Sequence, residues 1–331
     1  MSASGAKRRV LITGAAGRIG AGLAERLKDR YDLRLHYNRT IPEQRPVEDY
    51  VVANVANYDE VAAAVAGMDA IVHMAGQPSV QASWESVHEA NIVGVRNVYE
   101  AARQAGVRRF VYVSSSEIYG TAQTVPMTEQ HPAWPMTVYG AAKLAGERYT
   151  DAYWRTYGFP TVVIRPFNAF GPRSHHEGDC GEVIPKFMLR AMAGRPLVVH
   201  GDGTQTRDFT YVADTARGIL LAATAEKAVG ETINLGQGKE ISINQLAEAV
   251  GAATGRNDLD IRHGAPRPGD VLRLYSDSRK AAELLGFRPE ISLREGLSRL
   301  RAWYESSGLS PEALLADEIE MNWQSPARKA G

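Results

Sequence analysis

Val10-Leu11-Ile12-Thr13-Gly14-Ala15-Ala16-Gly17-Arg18-Ile19-Gly20 is the stretch on which the fold turns. Its first half is a short apolar run ending at a glycine, the composition of a strand buried on both faces of a parallel sheet. Its second half opens a helical pattern over residues 18–30, with Ile19, Leu23 and Leu27 on one face. Gly14, Gly17 and Gly20 permit a tight turn. They also let backbone N–H groups approach a pyrophosphate at the positive end of that helix. A buried strand, a glycine turn and a helix at the head of an α/β chain make a dinucleotide-binding fingerprint.

Outward from that stretch, strand and helix patterns alternate. Strands are predicted over 33–37, 70–74, 109–113 and 161–165, and helices over 61–66, 86–105 and 139–157. This alternation, without internal repeats, predicts a doubly wound parallel sheet of the Rossmann type in an α/β fold. The pattern changes after Gly171-Pro172, where loops rich in Gly, His and Asp separate shorter elements, with helices over 184–193 and 243–254. The expected division is a dinucleotide-binding domain over 1–171 and a smaller substrate-binding lobe over 172–331. Part of the second half (208–236, including a strand at 232–235) is expected to return to the main sheet. The last twenty residues, with Trp323, read as a peripheral extension.

Composition narrows the class. Apolar residues are 44% and charged residues 23% of the 331, a soluble globular balance. Lys+Arg and Asp+Glu are both 38, so nothing points to nucleic acid as a partner. Cys180 is the one cysteine, which excludes an intrachain disulfide and fits a reducing cytosol. No apolar run approaches the ~20 residues of a membrane span. Lys7-Arg8-Arg9 before Val10 imitates a signal peptide, but the apolar run that follows is too short and breaks at Gly14. The reading is cytoplasmic, with residues 1–7 a flexible tail and no membrane association. The eight histidines show no metal-like spacing, so no metal is expected.

Two further stretches carry chemistry. Tyr139 and Lys143 stand four apart, one turn along a helix face. A phenol with a free pKa of about 10 is a poor base at neutral pH, and a neighbouring ammonium lowers it. Ser114-Ser115-Ser116-Glu117 follows the strand at 109–113, at the carboxyl end that faces the ligand crevice in a doubly wound sheet. At the end of the strand at 33–37, an acid would bond the ribose 2′-hydroxyl of NAD and an arginine would suit the phosphate of NADP. The chain has Asn38-Arg39 there, with Arg18 as a further base, so NAD and NADP both stay open.

With these residues the chain resembles the extended short-chain dehydrogenases/reductases, in the nucleotide-sugar epimerase/dehydratase family. The resemblance covers about residues 8 to 305. It rests on Thr13-Gly14-x-x-Gly17-x-x-Gly20, His73-Met74-Ala75-Gly76-Gln77, Asn91, Ser114-Ser115-Ser116 and Tyr139-Gly140-x-x-Lys143. It rests also on Arg165-Pro166-Phe167-Asn168-x-x-Gly171-Pro172-Arg173, Gln205-Thr206-Arg207-Asp208-Phe209-x-Tyr211-Val212 and Arg267-Pro268-Gly269-Asp270. The resemblance implies that Tyr139 removes a proton from a sugar hydroxyl, usually O4, that Ser115 orients the same oxygen, and that Lys143 lowers the phenol pKa and holds the nicotinamide ribose. It implies a tightly held cofactor contacted by Gly14, Gly17, Arg18, Ile19, Gly20, Asn38, Arg39, Asn54, Val55, Met74, Ala75, Gly76, Asn91 and Ser114, as well as by Tyr139 and Lys143. Asn91 would support the helix carrying Tyr139 through a water. Gln77, Ser115, Asn168, Glu182, Val183, Arg207 and Arg267 would meet a nucleotide diphosphate sugar, the arginines suiting bidentate phosphate contact.

The family divides after the 4-keto sugar. An epimerase, most naturally at C4, turns the ketone and takes the hydride back on the other face. A 4,6-dehydratase uses an acid/base pair after the serine, and Ser116-Glu117 offers Glu117 as a C5 base with only a serine as the acid. A uronate decarboxylase and a 4-keto reductase are further branches, and a non-catalytic dinucleotide sensor is the reading from another class. Departures from the family pattern are Asn38 for the ribose acid, Asn54 for the adenine-side Asp, Arg18 for an aromatic residue, and Glu182 where Asn is frequent. The resemblance also implies a homodimer built on the helices at 86–105 and 139–157.

Overall fold

The structure, a computed structural model, describes residues 7–78, 83–178, 180–256 and 258–324. Six strands come first: β1 (Arg9–Thr13), β2 (Asp32–Tyr37), β3 (Tyr50–Val52), β4 (Ala70–His73), β5 (Arg109–Val113) and β6 (Thr161–Pro166). Four short ones follow, β7 (Ala169–Phe170), β8 (Leu197–His200), β9 (Thr206–Arg207) and β10 (Thr210–Tyr211), before β11 (Thr232–Leu235). The central sheet has seven strands in the order β11-β6-β5-β4-β1-β2-β3. All its pairings are parallel, including β11 against β6.

Period-two alternation divides the strand side chains between two layers. Val10 and Ile12 join Val72, Val111 and Ile164 beneath Leu23 and Leu27 of α1 (Arg18–Leu27) and Ile219 and Ala222 of α7 (Val212–Thr224). Leu11, Ile71, Phe110, Tyr112 and Val163 face the other layer. That layer holds α2 (Tyr58–Val65), α4 (Gly94–Gln104) and α5 (Val138–Tyr157). With both faces covered, β5 is buried at every residue, which is why it reads as an apolar run from Phe110 to Val113.

Two expectations are corrected. Tyr50–Val52 is an edge strand that brings the sheet to seven; it is only three residues long and not buried, so it has no apolar run to mark it. The helix expected over 86–105 is three segments: α3 (Trp84–Val87), a π-helical turn (His88–Val93) and α4. A π turn holds an extra residue, and here it surrounds the buried Asn91.

The second core lies in the lobe, where Phe170, Phe187, Met188, Val199, Leu246, Val250, Leu297 and Tyr304 pack together. These come mainly from α6 (Val183–Met192), β8, α8 (Ile243–Thr254) and α10 (Leu293–Ser306). The segment after α10 is anchored to α6: Arg190 donates to Glu318 at 2.8 Å and to Glu320 at 3.1 Å. Among the described residues no helix is long and apolar enough to cross a membrane.

Candidate active site

The chain runs from β1 outward to β2 and β3 on one side and to β4, β5 and β6 on the other, so the strand order reverses between β1 and β4. Ligands of open α/β sheets bind at the carboxyl ends of the strands beside such a reversal. A cavity of about 520 Å³ lies there. The main sheet contributes Gly14, Gly17, Arg18, Ile19, Gly20, Met74, Ala75, Gly76, Ser114, Ser115, Ser116, Glu117, Tyr139 and Lys143. From beyond β6 come Asn168, Glu182, Val183, Arg207 and Arg267.

The glycine turn fits a dinucleotide. Gly14 has φ +70°, and a Cβ on Gly20 would stand 2.5 Å from the Gly14 carbonyl oxygen. Only glycines let the turn fold this closely against α1, whose first N–H groups have no partner within the helix. The Thr13 hydroxyl accepts from the N–H of Met74 at 3.0 Å and of Ala75 at 3.1 Å, tying the ends of β1 and β4 into one floor. On the cavity wall, the Ser114 hydroxyl and the Asn168 amide oxygen are buried without a partner. Buried polar groups are normally satisfied, so these are poised for a polar ligand.

Tyr139 stands in the first turn of α5, which Thr137 caps by accepting from the Gly140 N–H at 3.0 Å. α5 comes close to the sheet because residue 146 is glycine: a Cβ there would meet the Tyr112 hydroxyl at 2.2 Å. Lys143 is buried, donates to the Val113 carbonyl at 2.9 Å, and its Nζ lies 5.9 Å from the Tyr139 ring centroid. Burial pushes the phenol up to about 12, opposed by a hydrogen bond with Ser115. Burial likewise pulls Lys143 down to about 8. At Tyr139 desolvation is thus the dominant influence, while the Lys143 ammonium, one turn away, bonds the strand carbonyl. Burial also raises the Glu117 carboxyl, with Arg207 and Arg267 pulling the other way.

Several expected ligands take other partners. Within the protein the Asn91 amide clamps the backbone of Gln77, accepting from the N–H at 2.7 Å and donating to the carbonyl at 3.0 Å. The π turn gives it that reach, and Gln77 itself is not part of the cavity wall. Asn54 accepts from the Ala56 N–H at 3.0 Å, fixing its own turn, and Val55 is buried against Gly94. Asn38 and Arg39 are exposed just beyond β2, outside the cavity wall. Arg207 donates to Asp270 at 2.7 Å and to the Thr206 carbonyl at 2.8 Å while lining the cavity. Arg18 and Glu182 form an ion pair with each other.

Sequence reasoning missed Phe187, His200 and Asn322, which also line the cavity. His200 packs edge-on to Trp323, with ring centroids 4.5 Å apart, and Asn322 donates to the Gly181 carbonyl at 3.3 Å. The segment after α10 thus reaches the crevice, through contacts between residues more than a hundred positions apart that no local pattern marks.

The fold, the glycine cradle and the tyrosine–lysine helix define a dinucleotide-dependent enzyme of the short-chain type. Residues 10–236 match the model of the NAD dependent epimerase/dehydratase family, and the chain belongs to that family. It is 34% identical over 305 residues to the UDP-glucose 4-epimerase of Mycolicibacterium smegmatis, covering 88% of this chain and 96% of that one. It is 32% identical over 319 residues to the dTDP-glucose 4,6-dehydratase of Streptomyces niveus, covering 90% and 93%. Among solved structures, the Thermus thermophilus UDP-glucose 4-epimerase complex with NAD superposes with a TM-score of 0.83 at 29% identity, covering 90% of this chain and 99% of that one. The chain is thus an NAD-dependent enzyme of the epimerase/dehydratase class.

Proposed function

We propose that the protein epimerises a nucleotide diphosphate sugar at C4 through a transient 4-keto sugar. The observation that carries this is the Tyr139 phenol, one turn from Lys143 on α5 and lining one cavity together with Ser115 and the glycine cradle. In this reading Tyr139 takes the proton of the sugar O4–H, Ser115 holds that oxygen, and Lys143 fixes the end of α5 to β5. Bound NAD supplies the hydride acceptor and a positive ring that favours the phenolate. Arg207 and Arg267 hold the diphosphate, Asn168 and Val183 the adjoining wall, and residues 172–331 act as the substrate lobe apart from β11. The ketone turns within the cavity before C4 is reduced on its opposite face, so the cofactor is regenerated.

The rise in the Glu117 pKa favours a second reading. A carboxylate made more basic by burial suits removal of a C5 proton, the step that commits a 4,6-dehydratase. Mass spectrometry and proton NMR after incubation with UDP-, dTDP-, GDP- and CDP-sugars separate the two. A product of unchanged mass with altered ring couplings is expected; loss of one water would make Glu117 the C5 base and the protein a dehydratase. Tyr139→Phe should abolish turnover while leaving ligand binding intact, and unchanged turnover would overturn the mechanism.

We also propose a cytoplasmic homodimer joined through α4 and α5. Tyr149 and Tyr157 lie exposed on α5, which supports such a contact. Light scattering of the purified protein at twice the chain mass is the expected outcome.

A further inference from the structure

Two departures noted separately in the sequence are one interaction in space. Arg18 opens α1 on the cofactor side, and Glu182 is the N-cap of α6 in the lobe, 164 residues away. Both carboxylate oxygens of Glu182 meet the same Nη1 of Arg18, which also donates to the Ser174 hydroxyl at 3.3 Å. The side chains retain only 22% and 31% of their exposure, and both line the cavity. The Nε of Arg18 is buried with no partner among the described residues, so the guanidinium has a donor in reserve. Both charges are near enough to act on the Tyr139 phenol, in opposite senses.

We propose that Arg18 and Glu182 are a matched positioning pair that closes the crevice across the bound diphosphate sugar and decides whether that anion is tolerated. This rests on the reading of the cavity as a nucleotide-sugar site. A free carboxylate at the start of α6 would face the diphosphate gripped by Arg207 and Arg267, and like charges brought together in a partly desolvated cleft are costly. Arg18 cancels that charge and links the cofactor helix to the substrate lobe. Neither residue is required to touch the reacting atoms. The pair makes one statement about specificity: Glu182 is acceptable because residue 18 is arginine.

A double-mutant cycle tests the pairing. UDP, dTDP, GDP and CDP are titrated calorimetrically into NAD-saturated wild type, Arg18→Leu, Glu182→Gln and the double variant, with thermal melts to show that each is folded. Arg18→Leu should weaken diphosphate binding about tenfold, because it leaves Glu182 uncompensated. Adding Glu182→Gln should restore most of that loss. The Arg18→Leu defect should also shrink as ionic strength rises from about 0.02 M to 0.5 M, since salt screens a repulsion but does not repair a packing defect. Arg18→Lys should keep most of the affinity. NAD affinity, measured in parallel, isolates any direct role of Arg18 at the cofactor, because such a loss would not be rescued by Glu182→Gln. Equal affinity in Arg18→Leu and the double variant, or a defect indifferent to salt, overturns the pairing while the nucleotide-sugar reading stands. Failure of the wild type to bind any of the four nucleotides overturns both.

Discussion

The two walls of the crevice are built on different principles. The cofactor wall is mostly backbone and small side chains at strand ends, where Thr13, Met74 and Ala75 are bonded to one another across adjacent strands. The lobe wall is charged side chains fixed by distant partners, such as Arg207 on Asp270 and Glu182 on Arg18. A wall made of backbone changes little when a side chain changes, whereas a wall made of ion pairs can be rewritten by two substitutions. This fits one cofactor type serving the whole family while reactions and sugars vary among its members.

The largest effect should come at Lys143, a buried cation of the cofactor wall. Lys143→Met should lower turnover about 100-fold, the scale of a misplaced catalytic group, because it frees the end of α5 that carries Tyr139. The same change should stabilise the protein without ligands. Lys143 is pulled down to about 8. Below that pH it is protonated in both folded and unfolded chains, and the folded state bears the full cost of a buried charge. The cost fades as pH rises from about 8 toward the unfolded value of about 10.4. At pH 7 the variant should therefore gain about 1–3 kcal/mol, reduced somewhat by the lost bond to Val113, and the gain should shrink by pH 10. Calorimetry at both pH values checks the sign; a loss of stability at pH 7 would mean that the ammonium is well accommodated.

A second contrast concerns ion pairs. Glu147 and Arg165 are almost fully buried and joined at 2.6 and 2.9 Å, pinning α5 to β6 beneath Tyr139. Glu147→Gln leaves a guanidinium buried without its counter-charge and should cost about 3–5 kcal/mol. The Arg207–Asp270 pair in the lobe is more accessible, at 12% and 20%. Asp270→Asn should cost only about 1 kcal/mol of stability, showing instead in weaker UDP binding. Denaturant unfolding of both variants measures the difference, and equal losses would remove the distinction between a structural and an adaptable wall.

What the sequence disclosed follows the same division. The β1–Gly14–α1 unit, the runs at β4, β5 and β6, and the Tyr139–Lys143 helix are local patterns, legible because burial and turn geometry act over a few residues. β11 was legible as a strand and as one returning to the sheet. The edge strand Tyr50–Val52 was not, since a short, poorly buried strand carries no apolar run. Nor was the π turn around Asn91, whose side chain bonds a loop 14 residues away. Arg18 on the cofactor side and Glu182 in the lobe were visible only as two oddities. Their pairing, like the placement of Asn322 and His200, depends on contacts between distant segments that single-chain periodicity does not encode.

The smallest test compares matched helix caps on the two sides. Asn57 caps α2, accepting from the N–H of Asp59 at 3.1 Å and of Glu60 at 3.4 Å. Ser242 caps α8 through a reciprocal pair, accepting from the Gln245 N–H at 3.1 Å while its own N–H donates to Gln245 at 3.0 Å. Replacing either by alanine removes the same kind of bond and should cost about 1 kcal/mol. Their functional consequences should differ. Ser242 also pairs with Thr206 in the two-residue ladder that holds Arg207 at the cavity, whereas Asn57 lies outside its wall. Ser242→Ala should therefore weaken UDP binding about two- to threefold at equal stability loss, and Asn57→Ala should leave it unchanged. If both variants bind alike, the ladder does not position Arg207, and the guanidinium is held by its own bonds to Asp270 and to the Thr206 and Val271 carbonyls.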